Sequence, residues 1–164
     1  MHILINKKYL TYKNYKLKCA LGKRGIGYKK KEGDLITPVG KYKIKYILYR
    51  KDRIKKIYSK IRTIVIKKNM AWCNDPESKD YNKLIKLPSD FSFENLYKKE
   101  NIYDIVLGLD YNMNPIIKSS AIFVHVAKKN YKKTEGCMAL RKIHLLKIIK
   151  LLESNTKVKI VNQK

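Results

Sequence analysis

Acidic residues are scarce in this 164-residue chain: 13 Asp and Glu stand against 39 Lys and Arg, for a formal net charge of +26 and a sequence pI near 10.0. Such a chain is drawn to polyanions. Nucleic acid is the usual partner for such a balance, yet the cations are nearly all Lys, scattered from end to end among abundant Ile, Asn and Tyr. Codon bias from an AT-rich genome produces the same enrichment, so nucleic acid is not the expected partner, while a polyanionic cell-wall surface stays open. Cysteines number three, Cys19, Cys73 and Cys137, far apart and without Cys-x-x-Cys spacing, which argues against a disulfide framework and against a zinc or dithiol site. The three histidines, His2, His125 and His144, also fail to cluster at ligand spacing, so no metal and no other cofactor is expected. Long apolar runs are missing. Nothing approaches the roughly 20 residues needed to span a bilayer, and Ile3-Leu4-Ile5 is too short for the apolar core of a signal peptide.

Internal repeats and low-complexity linkers are absent too, and 45% of the residues are hydrophobic. These features predict one domain over residues 1–164, and a monomer is the expected state. Helical pattern is scarce. Strand-like runs separated by turn signals cover Ile3 to Ile5, Lys16 to Leu21, Tyr42 to Tyr49, Arg62 to Ile66, Ile102 to Leu109, Ala121 to Val126 and Thr156 to Val161. Thr37-Pro38-Val39-Gly40 reads as a turn into the third of these. The best helical stretch is Lys142 to Leu152, with Ile143, Leu146 and Ile149 on one apolar face. A shorter helix is expected at Phe93 to Lys98, and the basic stretch Lys51 to Lys60 reads as a mobile excursion. The expected fold is mainly β, a β-rich α+β domain with one substantial helix late in the chain.

Two reactive side chains stand just before that helix. His125 interrupts the apolar run Ser120-Ala121-Ile122-Phe123-Val124-His125-Val126-Ala127, and Cys137 follows twelve positions later in Thr134-Glu135-Gly136-Cys137-Met138-Ala139-Leu140. A histidine in an apolar strand is often only a hydrogen-bonded core residue, and free cysteines are commonly small buried hydrophobes. As a pair they read as a nucleophile and its base. A thiol with a pKa of about 8.5 is only a few per cent ionised at neutral pH, so it needs a neighbour to take its proton, and His125 is the candidate. Gly136 allows a tight turn ahead of the thiol, with the amides of Gly136, Cys137 and Met138 as candidate oxyanion donors. Cys19, in a strand pattern, and Cys73, beside Trp72, read as structural. His2 and His144 read as bystanders.

The ordered set His125, Thr134, Gly136, Cys137, with Met138 in an aliphatic slot, resembles the signature of the L,D-transpeptidase (YkuD-type) catalytic domain, which cross-links peptidoglycan. The resemblance covers nearly the whole chain and implies an L,D-transpeptidase-like β-sandwich with the helix following Cys137. Lys31-Glu32-Gly33-Asp34 followed by Thr37-Pro38-Val39-Gly40 is similar to the family's upstream segment, and Trp72-Cys73-Asn74-Asp75-Pro76, Tyr81-Asn82 and Tyr103-Asp104 look like blocks of one branch. Glu135 stands where most members have a second histidine, a position commonly replaced in that branch. Ala139 stands where Asn or Arg is usual, with Arg141 two positions on as a candidate substitute. The loop between His125 and Thr134 is short.

The resemblance implies a cysteine acyltransferase, with Cys137 as nucleophile, His125 as base and a backbone carbonyl, that of Val126, orienting the ring. Its donor would be a tetrapeptide stem of peptidoglycan, and Thr134, Arg141, Trp72, Tyr81, Asn82 and Tyr103 are the candidate substrate-binding residues. Beside the thiol, Glu135 should oppose ionisation while Lys132, Lys133 and the helix start at Arg141 favour it. Two other outcomes stay open: hydrolysis of the same bond by an L,D-carboxypeptidase or cysteine amidase, and a basic polyanion-binding module whose active site has decayed. The family's chemistry implies the periplasm or cell envelope. Without a visible export signal, an incomplete chain start, unconventional export and action in the cytoplasm on precursors remain alternatives.

Overall fold

In a computed structural model, which describes residues 1–113 and 119–162, the chain is mainly β. Its strands are β1 (Ile3–Asn6), β2 (Tyr9–Tyr12), β3 (Tyr15–Lys18), β4 (Ile26–Gly27), β5 (Thr37–Pro38), β6 (Gly40–Tyr49) and β7 (Thr63–Val65). Then follow β8 (Met70–Cys73), β9 (Leu84–Lys86), β10 (Phe93–Asn95), β11 (Ile105–Leu109), β12 (Phe123–Val126), β13 (Met138–Leu140), helix α1 (Lys142–Ile149) and β14 (Lys157–Val161). The main sheet has the order β13-β12-β11-β6-β14-β1-β2-β3, with β7 also paired to β6. Beyond β3 the chain turns back onto the opposite edge, where Ala20 and Ala139 exchange backbone hydrogen bonds of 2.8 and 2.9 Å. The sheet thereby curls into a near-barrel.

Alternation along the strands separates two cores. Ile3, Ile5, Leu10, Tyr12, Ile44, Ile47, Leu107, Val124, Val126, Met138, Leu140, Val158 and Ile160 fill the inside. The three-stranded sheet β10-β8-β9 covers one stretch of the outside, where Trp72 and Leu96 pack on Leu48, Val106 and Phe123. Trp72 and Phe123 meet edge to face with ring centroids 5.0 Å apart.

The structure corrects three expectations. Phe93 to Lys98 is not a helix: Phe93–Asn95 pairs antiparallel with β8, Glu94 opposite Trp72, because Leu96 must reach the outer core. Lys51 to Lys60 is packed down rather than a loose excursion, since Ile54 and Ile57 enter the inner core and Arg50 lies over the Tyr97 ring at 3.4 Å. The helix buries Leu145, Ile148 and Ile149 and ends before Leu152, while Ile143, expected on its apolar face, is 59% exposed. Its first turn is tied to the sheet by the buried Asp104, which accepts from Lys142 Nζ at 2.8 Å and from Arg53 at 2.7 Å. The Thr37-Pro38 turn into β6 is itself a two-residue strand, β5, on β4.

Candidate active site

Strands β12 and β13 run parallel with His125 opposite Ala139, flanked by the pairs Val124–Met138 and Val126–Leu140. Those flanking pairs face the inner core, so Phe123, His125, Cys137 and Ala139 share the outer face. Diagonal neighbours on one face of a sheet lie roughly 7–8 Å apart at Cα, within reach of side chains. His125 and Cys137 accordingly line one cleft of about 560 Å³, together with Glu32, Glu94, Tyr103 and Thr134.

The imidazole is held on two sides. Its Nδ1 lies 2.9 Å from the carbonyl oxygen of Val126, and a carbonyl only accepts, so Nδ1 carries the proton and Nε2 keeps the lone pair. Tyr103 meets the ring edge to face at 5.6 Å, and its hydroxyl donates to Glu94 Oε1 at 3.1 Å. Burial pulls the His125 pKa down to about 4, against the pull of the Val126 carbonyl. The Cys137 thiol donates to the Ala121 carbonyl at 3.0 Å and accepts from the Phe123 amide at 3.4 Å. Burial pushes it up to about 12; the Phe123 amide and Lys29 pull it down, Glu94 and, least of all, Glu135 push it further up. At neutral pH both side chains are therefore uncharged, a thiol and an imidazole lining one cleft.

The turn before the thiol is tied at both ends. Thr134 Oγ1 donates to the Cys137 carbonyl and accepts from the Gly136 amide at 3.2 Å, while the Thr134 backbone bonds Leu21 and Lys23. The Gly136 amide, expected as an oxyanion donor, is thus engaged by the threonine. Gly136 has φ +146°, and a Cβ there would come within 3.0 Å of the Ile122 side chain and the Ile36 carbonyl and 3.3 Å of Lys29 Nζ. Under this turn Lys29 and Asp34 form an ion pair at 2.6 Å, each side chain only 4% exposed. Burial works against the Asp34 carboxylate, but Lys29 and the amides of Lys30 and Ile36 outweigh it and hold its pKa at about 2.

Of the expected substrate-binding residues, Thr134 and Tyr103 line the cleft; Trp72, Tyr81, Asn82 and Arg141 do not. Trp72 is buried, with Nε1 donating to Asn82 Oδ1 at 3.0 Å. Asn82 Oδ1 also accepts from the Ala121 amide at 3.0 Å, so it holds, in the left-handed conformation (φ 52°), the residue whose carbonyl receives the thiol proton. Tyr81 reaches the cleft through the cleft-lining residues Glu32, which accepts its hydroxyl, and Ser120. Arg141 lies past the far end of β13 at the start of α1, about 13 Å of extended chain from Cys137. Spacing assigns no role to Lys29 or Glu94, and Glu32, which stands in the family-like upstream segment, gains one only from its place in the cleft. Among the largest influences on the sulfur the cation is Lys29, while the expected Lys132 and Lys133 line the same cleft. Cys19 and Cys73 are buried away from the cleft, and among the described residues no group of His, Cys, Asp and Glu is placed to hold a metal.

The family model for YkuD, the L,D-transpeptidase catalytic domain, matches residues 2–160. The chain belongs to this family. No curated protein sequence matches it. Among solved structures, it is similar to the helical cell shape determining protein Pgp2 from Campylobacter jejuni and to a point mutant of that protein, each at 21% identity and a TM-score of 0.46. Both alignments cover 99% of this chain and 47–48% of the other, so the chain spans about half the length of the structures it matches.

Proposed function

We propose that this member of the L,D-transpeptidase family is a cysteine acyltransferase acting on peptidoglycan stem peptides through a thioester on Cys137. The observation that carries the proposal is the tethered imidazole: with Nδ1 on the Val126 carbonyl, Nε2 is presented as a base on the face and in the cleft that hold the thiol. In this reading the thiol leaves the Ala121 carbonyl and gives its proton to Nε2 as Sγ attacks the carbonyl of the stem's third residue. Collapse of the tetrahedral intermediate breaks the bond to the terminal D-alanine, whose amine takes the proton back from His125. The acyl group then passes to an acceptor amine, whose proton goes to His125 and from there to the Cys137 thiolate that leaves, restoring the neutral pair. The imidazole, unprotonated at rest, is free to take that proton during attack and to return it to the leaving amine. On this reading the work is done in the periplasm or cell envelope.

The test is incubation with purified disaccharide tetrapeptide, followed by mass spectrometry of protein and products. A thioester on Cys137 with transfer to a second stem supports the proposal; its absence, or an adduct on Cys73, overturns it. Release of tripeptide alone would identify hydrolysis instead. Cys137→Ala should abolish adduct and turnover, whereas Cys19→Ala and Cys73→Ala should retain both. His125→Gln should slow acylation by about two to four orders of magnitude.

A further inference from the structure

All 13 carboxylates lie between Glu32 and Glu153, so the terminal segments of the chain carry cations without a single acid. The fold brings those segments together. Strands β3, β2, β1, β14 and β6 are consecutive neighbours in the main sheet, and none contains Asp or Glu. Their registers connect Lys16 to Thr11, Thr11 to Leu4, Leu4 to Lys159 and Lys159 to Lys41 in one row across the sheet. Lys157 opposite Lys43 makes a second row, and Lys18 opposite Tyr9 a third. The inward neighbours Ile3, Ile5, Leu10, Val158 and Ile160 are in the core, so these rows are the outer face. Lys16, Lys18, Lys41, Lys159, Leu4 and Tyr9 are exposed on it. His2, beside it, is pushed below its ordinary pKa by loss of water and then by ammonium groups including Lys41, Lys157 and Lys159.

We infer that this lysine-rich sheet face, whose strands carry no Asp or Glu and which a carboxylate approaches at Lys43, where Asp110 accepts from the backbone amide at 2.8 Å, seats the protein on an anionic lipid bilayer. At about 4.8 Å per strand and 6.8 Å per two residues, six ammonium groups spread over an area of roughly 19 by 13 Å, two-dimensional like a field of lipid headgroups rather than single-file like a phosphodiester chain. Lysines supply point charges without the bidentate fork that reads individual phosphates. Leu4 and Tyr9 lie between the charges, an apolar and an amphipathic residue suited to the headgroup region. The Tyr9 ring is covered by Lys16 Nζ at 4.9 Å, which leaves it a poor platform for stacking bases. None of these residues lines the Cys137 cleft, so the face can be occupied while the cleft stays open.

The test is sedimentation with vesicles of phosphatidylcholine alone or with about one-third phosphatidylglycerol, in 0.15 M NaCl. Binding should require phosphatidylglycerol. Each lysine near an anionic leaflet contributes about fivefold to partitioning, so the triple change Lys16→Gln, Lys41→Gln and Lys159→Gln should weaken it about a hundredfold. A control triple with the same loss of charge, Lys67→Gln, Lys68→Gln and Lys79→Gln, should weaken it less than tenfold, with both variants checked for unchanged circular dichroism. Equal losses in the two triples would reduce the effect to overall charge and overturn the proposal. So would failure to bind phosphatidylglycerol vesicles, or single-stranded DNA that binds the wild-type chain more tightly than vesicles do and loses that affinity only in the first triple.

Discussion

His125 and Cys137 depart from their ordinary pKa values in opposite directions for one reason, removal from water, and this sets the pH behaviour of the site. As pH falls below about 6.5, unfolded His125 takes a proton that the folded protein refuses until about 4, so stability drops across that window, by on the order of 3 kcal/mol at most. As pH rises above about 8.5, unfolded Cys137 ionises while the folded thiol holds its proton to about 12, so stability drops again on that side. Thermal unfolding should therefore show a plateau near pH 6.5–8.5. His125→Gln should reduce the loss on the acid side and Cys137→Ser that on the alkaline side, where the buried Cys19 thiol, also pushed up to about 12, keeps part of it; a loss of stability unchanged in both variants would show that other groups govern it. Glu135→His should shift the alkylation profile of Cys137 to lower pH, but only slightly, because Glu135 is the weakest of the named influences on the thiol.

At the scale of elements, the active turn depends on a segment remote in sequence. Gly136 rests against Lys29, and Lys29 is neutralised by Asp34 in a pair almost closed to solvent. Removing one partner strands the other charge, which costs roughly 3–5 kcal/mol, whereas replacing both by apolar groups is often nearly neutral. Asp34→Asn should thus lower the melting temperature strongly and slow acylation of Cys137, while Lys29→Met with Asp34→Leu should recover much of the stability but not the rate. Equal recovery of both would reduce the pair to packing. Sequence pattern alone placed seven strand runs and the late helix, because strands such as β6 and β12 have strong alternation or continuous apolar β-branched content. It missed β2, since the hairpin turns on either side are Lys7-Lys8 and Lys13-Asn14, with Lys7 and Lys13 at positive φ (49° and 51°) where a Gly or Asn would ordinarily announce the turn. It misread β10 because Phe93-Glu94-Asn95 carries no strand pattern of its own; pairing with β8 decides it. In the site, spacing singled out His125 and Cys137, but the supporting roles of Trp72 and Asn82 follow from a hydrogen-bond relay through Ala121 that no spacing encodes.

Over the whole molecule, cations outnumber carboxylates by 26, and the ion pairs at the surface offset little of this, as exposed pairs contribute only about 0–1 kcal/mol each. Mutual repulsion should dominate the response to salt. Where Lys159 stands opposite Lys41, and Lys157 opposite Lys43, like charges face each other on neighbouring strands, an arrangement that destabilises a sheet. Raising the ionic strength from 0.01 to 0.15 M shortens the screening length from about 30 to about 8 Å, longer than the spacing of charges across this face to shorter than most of it. The melting temperature should therefore rise with NaCl, by several degrees and mostly within that range, since 1 kcal/mol is worth about 2–4 °C in a chain of this size. The triple change Lys16→Gln, Lys41→Gln and Lys159→Gln should raise the melting temperature at 0.01 M and leave it less dependent on salt. A melting temperature that falls as NaCl is added would mean that the surface ion pairs outweigh the repulsion, and that the crowded sheet face is already relieved by pairs within the protein.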